Sequence, residues 1–317
     1  MNKMFPFLDV EAHLQKVVVV IFGILLFSSL LFYVWKRMKP GTLIDEMILR
    51  LRSWWVICIL FLYATLSGPL ATCLGLGLLS FLALREIYTH LKMRNTDRVA
   101  LLVCYLCIPV QYYFAYKGWY HLFMSFIPVF MFIIIPFLLV LTGETKDIIR
   151  SMCILPTSLM LGIFGISHLA LLINFPEMNS NGVSGKALLL FLIFITEAND
   201  IMQFVWGKIF GKHKILPNVS PNKTWEGFIG GVLSTTLIGY LMGFLTPLNP
   251  LQLILISSTI AILGFMGDAI LSAVKRDFGV KDMSEAIPGH GGVLDRVDSL
   301  STTASPFFHL IYFIIIM

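Results

Sequence analysis

The sequence predicts an all-α, polytopic integral membrane protein with about ten transmembrane helices. Two observations carry this. Of 317 residues, 57% are hydrophobic and only 13% charged, with a mean hydropathy of +0.85; a soluble domain of this size carries about 25% charged residues. The apolar runs are spread from end to end of the chain, and a span needs about 20 such residues.

The first run, Val17 to Trp35, is too long for the apolar region of a signal peptide and has no small-residue cleavage site after it, so it reads as a span. The next, 54–84, has Ser67-Gly68-Pro69 in its middle and reads either as one long tilted helix or as two short ones. Further spans are expected at 99–116, 120–141, 152–173, 187–206, 227–247, 251–274 and 299–317.

Charge decides the ambiguous run. If 54–84 crosses twice, loops 36–52, 85–98, 142–151, 207–226 and 275–298 share one side. They then hold all but four of the 23 Lys and Arg residues; Lys3, Lys16, Lys117 and Lys186 are the exceptions. Cytoplasmic loops carry such an excess. Ten spans follow, with both termini outside and the basic loops in the cytoplasm. The net charge of +5 reflects those loops and does not argue for a nucleic-acid partner. Cys58, Cys73, Cys104, Cys107 and Cys153 lie in or beside apolar runs and read as small buried hydrophobes. Cys104 and Cys107 form a C-x-x-C pair, but no second pair accompanies it.

Polar residues break the apolar pattern mainly in the C-terminal half. Glu197, Asp200 and Gln203 step by three along one helix face in EANDIMQ. Ionisable groups at membrane depth are costly and face a cavity or a partner. Asp268, Ser272 and Lys275 also share a face, with Asp268 roughly 10 Å deeper than Lys275. A sunken carboxylate below a basic mouth reads as an internal salt bridge, or as a holder for a divalent cation beneath a polyphosphate. His168 stands alone among Gly, Ser and Leu and reads as a hydrogen-bonded core residue.

Two loops complete the pattern. Loop 207–226 carries Lys208, Lys212, Lys214 and Lys223 and ends in SPNKTWEG, whose Ser220, Asn222, Lys223 and Thr224 suit phosphate oxygens. It lacks the P-loop pattern. Gly227, Gly230 and Gly231 follow and permit close helix packing. Loop 275–298 alternates Lys275, Arg276, Lys281 and Arg296 with Asp277, Asp282, Asp295 and Asp298. Attraction to anionic lipid would want cations alone. Mixed signs fit acids that hold metal beside cations that hold phosphate. The Pro288-Gly289-His290-Gly291-Gly292 turn lets backbone approach an anion. Asp298 also reads as an N-cap of the last helix.

The string SAVKRDFGVKDMSEAIPGHGGVLDRVD, Ser272 to Asp298, resembles the signature of the phosphatidate cytidylyltransferases, and SPNKTWEG with its glycines resembles their second conserved block. The resemblance is strong over about 197–298. It implies a reaction of CTP with phosphatidate to give CDP-diacylglycerol and pyrophosphate in phospholipid biosynthesis. It also implies Mg²⁺, with a second cation as an option, held by Asp268 and Asp295.

On this reading Lys275, Arg276 and Asp298 are catalytic candidates, and His290 is one too, either donating to a phosphate or only shaping the turn. Substrate contacts fall to Asp200, Ser220, Asn222, Lys223, Thr224, Lys281, Asp282 and Arg296. The resemblance implies a homodimer and a multi-pass location in the bacterial inner membrane. On this reading 1–180 is an N-terminal scaffold with a lipid-access side, and 181–317 is the catalytic region. Ile201-Met202-Gln203-Phe204, FLALREIY at 81–88 and QYY at 111–113 resemble a divergent bacterial branch. They leave another lipid phosphate, such as a polyprenyl phosphate, open as the acceptor. An ion-coupled transporter is the distant alternative, but no repeated halves or matching broken helices are visible.

Overall fold

A computed structural model of the protein describes residues 12–175, 183–289 and 291–316. His290, a candidate site residue, lies outside them. The described chain forms ten helical rods. They are α1 (Ala12–Met38), α2 (Thr42–Leu66), α3 (Pro69–His90), α4 (Arg98–Lys117) and α5 (Tyr120–Leu141), followed by α6 (Ile148–Ile173) and α7 (Gly185–Phe210). A small antiparallel hairpin follows, β1 (Lys214–Leu216) and β2 (Ser220–Thr224), and then α8 (Trp225–Leu241), α9 (Pro250–Asp277) and α10 (Leu294–Ile316). Eight of these rods, α1 to α7 and α9, are long and apolar enough to cross a membrane. α8 has 17 residues, and α10 opens on a charged turn.

The ambiguous run is two full-length helices. The break falls at Gly68, whose φ of 111° suits glycine, with Pro69 opening α3. α2 starts at Thr42, so residues 42–52 of the expected loop 36–52 are helical, and α2 reaches 25 residues. Prolines shape two other rods. α5 contains a π turn at Phe126–Met131 around Pro128, and α6 has one at Met160–Gly165, just beyond Pro156. Proline lacks the N–H for the regular ladder, and a wider turn absorbs the mismatch.

The buried core joins α3, α4, α5 and α6 to α7 and α10, with Phe123, Phe191 and Phe307 fully enclosed. His168 is part of it: Nδ1 donates to Phe164 O at 2.7 Å and Nε2 meets Ser305 Oγ at 3.3 Å. Its polar atoms are satisfied, as expected of a core histidine. Cys104 and Cys107 are also buried.

α8 packs on α7 at glycine distance. A Cβ at Gly231 would stand 2.3 Å from Gln203 Cγ, and one at Gly227 would stand 2.8 Å from Gln203 O. Larger residues would push the two helices apart.

The basic segments gather at one end of the bundle. Arg94 donates to Glu144 O and Lys146 O, joining the loops after α3 and α5. Ser53 Oγ donates to Pro288 O at 2.8 Å, and Arg276 Nε donates to Val219 O at 3.1 Å. The end of α9 is thereby tied to the hairpin, and the loop that follows it to the middle of α2.

Candidate active site

The site grows from one face of α9. Ser272 Oγ donates to Asp268 Oδ1 at 3.2 Å, one turn apart on the helix. Asp268 Oδ2 receives Lys223 Nζ from β2 at 2.6 Å. The same ammonium lies 4.4 Å from the centre of the Phe265 ring, an added cation–π contact. Further along α9, Lys275 Nζ donates to Asp295 Oδ1 at 2.9 Å and lies 3.9 Å from Asp298 Oδ2. Two lysine–aspartate pairs therefore bind hairpin to α9 and α9 to α10.

α7 supplies the floor. Asp200 accepts from Ser299 Oγ at 3.0 and 3.2 Å. It lies within electrostatic reach of Glu197, Asp268 and Asp298. Arg296 is exposed, yet its charge is felt by Glu197 and Asp298. Five carboxylates thus face Lys223, Lys275 and Arg296.

The hairpin is held by its own sequence. Thr224 caps α8 by accepting from Gly227 N at 3.2 Å. Glu226 accepts from Lys212 N at 3.0 Å and His213 N at 3.2 Å, and meets His213 Nδ1 at 2.6 Å. These bonds, the Lys212 N–H first, hold the Glu226 carboxyl down at about 2. Within 207–226, expected as a loop, residues 214–224 thus form a hairpin, and Pro217 and Asn218, both turn formers, are its local sign.

A cleft of about 170 Å³ opens between α7, the hairpin, α8 and α9. Asp200, Ser220, Asn222, Lys223, Thr224 and Asp268 line it, which brings six of the expected residues together. Gln203, Phe204, Gly227, Phe228 and Phe265 line it too and were not singled out as site residues. Phe204 is exposed on the outer, apolar face of α7, so the cleft has a polar floor and a hydrocarbon-facing rim. Pockets for whole small-molecule ligands run about 300–1,000 Å³. As it stands, the cleft has room for a group the size of a phosphate rather than for an entire nucleotide.

Loop 278–293 lies beside this cleft. Gly289 and Gly291 have φ of 76° and 83°, which side chains disfavour. Ile287 N donates to Gly291 O at 2.9 Å and closes the turn between them. Asp295 Oδ2 accepts from Met283 N and Gly292 N, each at 2.8 Å. With Lys275 on Oδ1 and only 6% exposure, Asp295 is engaged by the loop itself.

α10 begins at Leu294, so Asp298 sits in its second turn and is not its N-cap. The charged start of the helix had disguised its beginning. Arg276 donates to Val219 O and Val280 O and so braces the hairpin rather than lining the cleft. Lys281 and Asp282 are exposed, with Asp282 against Gly291. Glu86 of α3 was not singled out as a site residue. Its carboxylate accepts from Val293 N and Leu294 N at 2.8 Å and from Ser284 Oγ at 2.6 Å.

Among the described residues, no group of three or more His, Cys, Asp or Glu side chains is arranged to hold a metal ion. Mg²⁺ is commonly held by one or two carboxylates together with substrate phosphates, so a smaller set suffices. Asp268 suits this role, being partly open at 31% exposure and on the cleft wall. Asp295 would offer Oδ1 only after Lys275 moves.

Comparison with known proteins places these features in context. Residues 48–315 match the cytidylyltransferase family. The chain is 39% identical over 302 residues to the uncharacterized protein YnbB of Escherichia coli (strain K12), covering 94% of this chain and 98% of that protein. It is 40% identical over 138 residues to the phosphatidate cytidylyltransferase of Haemophilus influenzae, covering 42% of this chain and 48% of that one. A phosphatidate cytidylyltransferase of Staphylococcus epidermidis is 42% identical over 117 residues, or 36% and 45% of the two chains. The matches to these two enzymes therefore span about half of each or less.

Proposed function

Because this chain belongs to the cytidylyltransferase family, we propose that it joins CTP to phosphatidate, giving CDP-diacylglycerol and pyrophosphate. An oxygen of the lipid phosphate bonds to the α-phosphorus of CTP. The bond from that phosphorus to the bridging α–β oxygen breaks, and the electron pair leaves with pyrophosphate. The attacking oxygen is already ionised near neutral pH, so no strong base is needed. Catalysis then rests on positioning and on neutralising charge.

The observation that carries this reading is the cleft in which Lys223 meets Asp268. It combines a cation for phosphate, a carboxylate for metal and an apolar rim at Phe204. A substrate with a charged head and acyl tails needs both surfaces. Lys223 and Lys275 would pair with phosphate oxygens once their aspartates are otherwise engaged. Asp200 shapes the floor through Ser299, while Ser220 and Asn222 line the wall.

Mg²⁺ fits the donor set. Carboxylates outnumber cations around α9, and Asp268 lines the cleft. When bound, the ion would neutralise phosphate charge and polarise the α-phosphoryl group. Asp268 would hold it, joined by Asp295 if Lys275 releases Oδ1. The gathered basic segments would face the cytoplasm of a bacterial inner membrane, where CTP is found.

The test is CDP-lipid formation by purified protein with CTP and Mg²⁺, offering phosphatidate and a polyprenyl phosphate in parallel and in competition. Preference for phosphatidate supports the reading. A product formed only from the polyprenyl phosphate would transfer the chemistry to another acceptor.

A further inference from the structure

We propose that Glu86 of α3 is a positioning residue that clamps the start of α10 and thereby sets Asp295 and Asp298 in the site. This inference rests on the reaction proposed above. The first N–H groups of a helix have no partner within it and are usually satisfied by a Ser, Thr, Asp or Asn just before the helix. α10 begins at Leu294, and the residue before it is Val293, which has no side-chain acceptor. Glu86 supplies what Val293 lacks, from a different helix. It accepts from the N–H of Val293 and of Leu294, both at 2.8 Å. Its negative charge also suits the positive end of the helix dipole.

The clamp reaches both strands of the loop. Glu86 Oε1 takes Ser284 Oγ at 2.6 Å as well as Val293 N. Ser284 follows Met283, whose N–H donates to Asp295 Oδ2. One turn along α3, His90 Nε2 meets Met283 O at 2.5 Å. Glu86 is only 7% exposed, so these bonds form away from bulk water. Charge-assisted hydrogen bonds are roughly twice as strong as neutral ones.

Gly292 fits the same account. A Cβ there would stand 2.6 Å from Glu86 Oε2 and 2.9 Å from its carboxyl carbon. The glycine leaves room for the carboxylate to reach the backbone. α3 thus takes part in the site without touching substrate, by fixing the backbone from which Asp295 and Asp298 project.

The experiment compares the full chain with Glu86→Gln and Ser284→Ala, in lipid nanodiscs. Glutamine keeps the shape but turns one acceptor into a donor, so one backbone N–H loses its bond. For Glu86→Gln, kcat should fall at least tenfold while KM for CTP changes less than threefold. Amide hydrogen exchange over 284–294 should accelerate at least tenfold while that of α7 and α8 stays unchanged. Ser284→Ala should show the same pattern in smaller form, two- to fivefold.

Wild-type kcat and exchange in Glu86→Gln would overturn the clamp. So would a loss of protection spread evenly over all helices. If Glu86→Gln does not fold, Ser284→Ala decides: faster exchange confined to 284–294 with lower kcat supports the clamp, and wild-type behaviour overturns it. A wild-type chain that makes no CDP-lipid would refute the proposed reaction, and the exchange measurements would still decide the clamp.

Discussion

Lys223 on β2 and Asp268 on α9 meet at 2.6 Å, and the pair stands on the wall of the cleft. In the proposed reaction each would hold a place that substrate claims, the ammonium that of the metal ion and the carboxylate that of a phosphate, and binding would part them. Asp268→Asn removes the charge that would hold Mg²⁺, and kcat should fall at least 100-fold, roughly 2.7 kcal/mol. Asp268 is a third exposed, so the thermal midpoint should move little. Steady-state kinetics beside a melting curve measures both.

Asp295 should behave differently, because its carboxylate also holds the loop. Asp295→Asn keeps an oxygen for Met283 N and Gly292 N but turns an amide toward Lys275. Hydrogen bonds to charged groups are worth about 1.5–3 kcal/mol, and a loss of that size in stability is expected alongside the loss of activity. Denaturation of Asp295→Asn and Asp268→Asn side by side should show the stability loss only in the former.

Acid should loosen the hairpin in a defined window. Glu226 is held at about 2 in the fold, below the roughly 4.3 of a free glutamate. A lowered value means that the group stabilises the fold above about pH 4.3, and that this contribution is lost as pH falls toward 2. The stability difference between wild type and Glu226→Gln should be full at pH 6 and vanish near pH 2. A difference that persists unchanged at pH 2 would show that the charge of Glu226 is not what holds Lys212 and His213.

The α7–α8 contact should reject a methyl group. Gly231→Ala places Cβ 2.3 Å from Gln203 Cγ and 3.1 Å from its backbone. Overpacking of this kind costs about 1–3 kcal/mol. Gly23→Ala, on α1 with nothing within 4 Å, should be neutral or slightly stabilising. Melting curves of the two variants provide the contrast.

Much of this was legible in the sequence because hydrophobic length and charge asymmetry act locally. Eight of the ten expected spans follow from residue type alone. Asp268 and Lys275 could be placed on one face from spacing alone, and Lys223 stood out as a cation beside a helix start. Contacts across the fold were not legible. Nothing in FLALREIY marks out Glu86, because its partners lie 198 to 208 residues away. Arg276 reads as a phosphate ligand, and spacing does not reveal that its guanidinium also donates to Val219 O and Val280 O. The start of α10 was misplaced because its first turn is charged and its cap comes from α3. Residues 42–52 read as part of a basic loop because Arg50 and Arg52 mask a helix that continues into an apolar run.

The central claim is that a cytidylyl group passes from CTP to a membrane lipid phosphate at Asp268. It is tested most directly by following label from the α- and γ-phosphates of CTP, with Mg²⁺ and phosphatidate vesicles. The account predicts that α-label enters the lipid phase while γ-label appears as aqueous pyrophosphate. Both transfers should stop with Asp268→Asn or on removal of Mg²⁺ with a chelator. α-Label that stays aqueous with every lipid phosphate offered, or full transfer by Asp268→Asn, would contradict it.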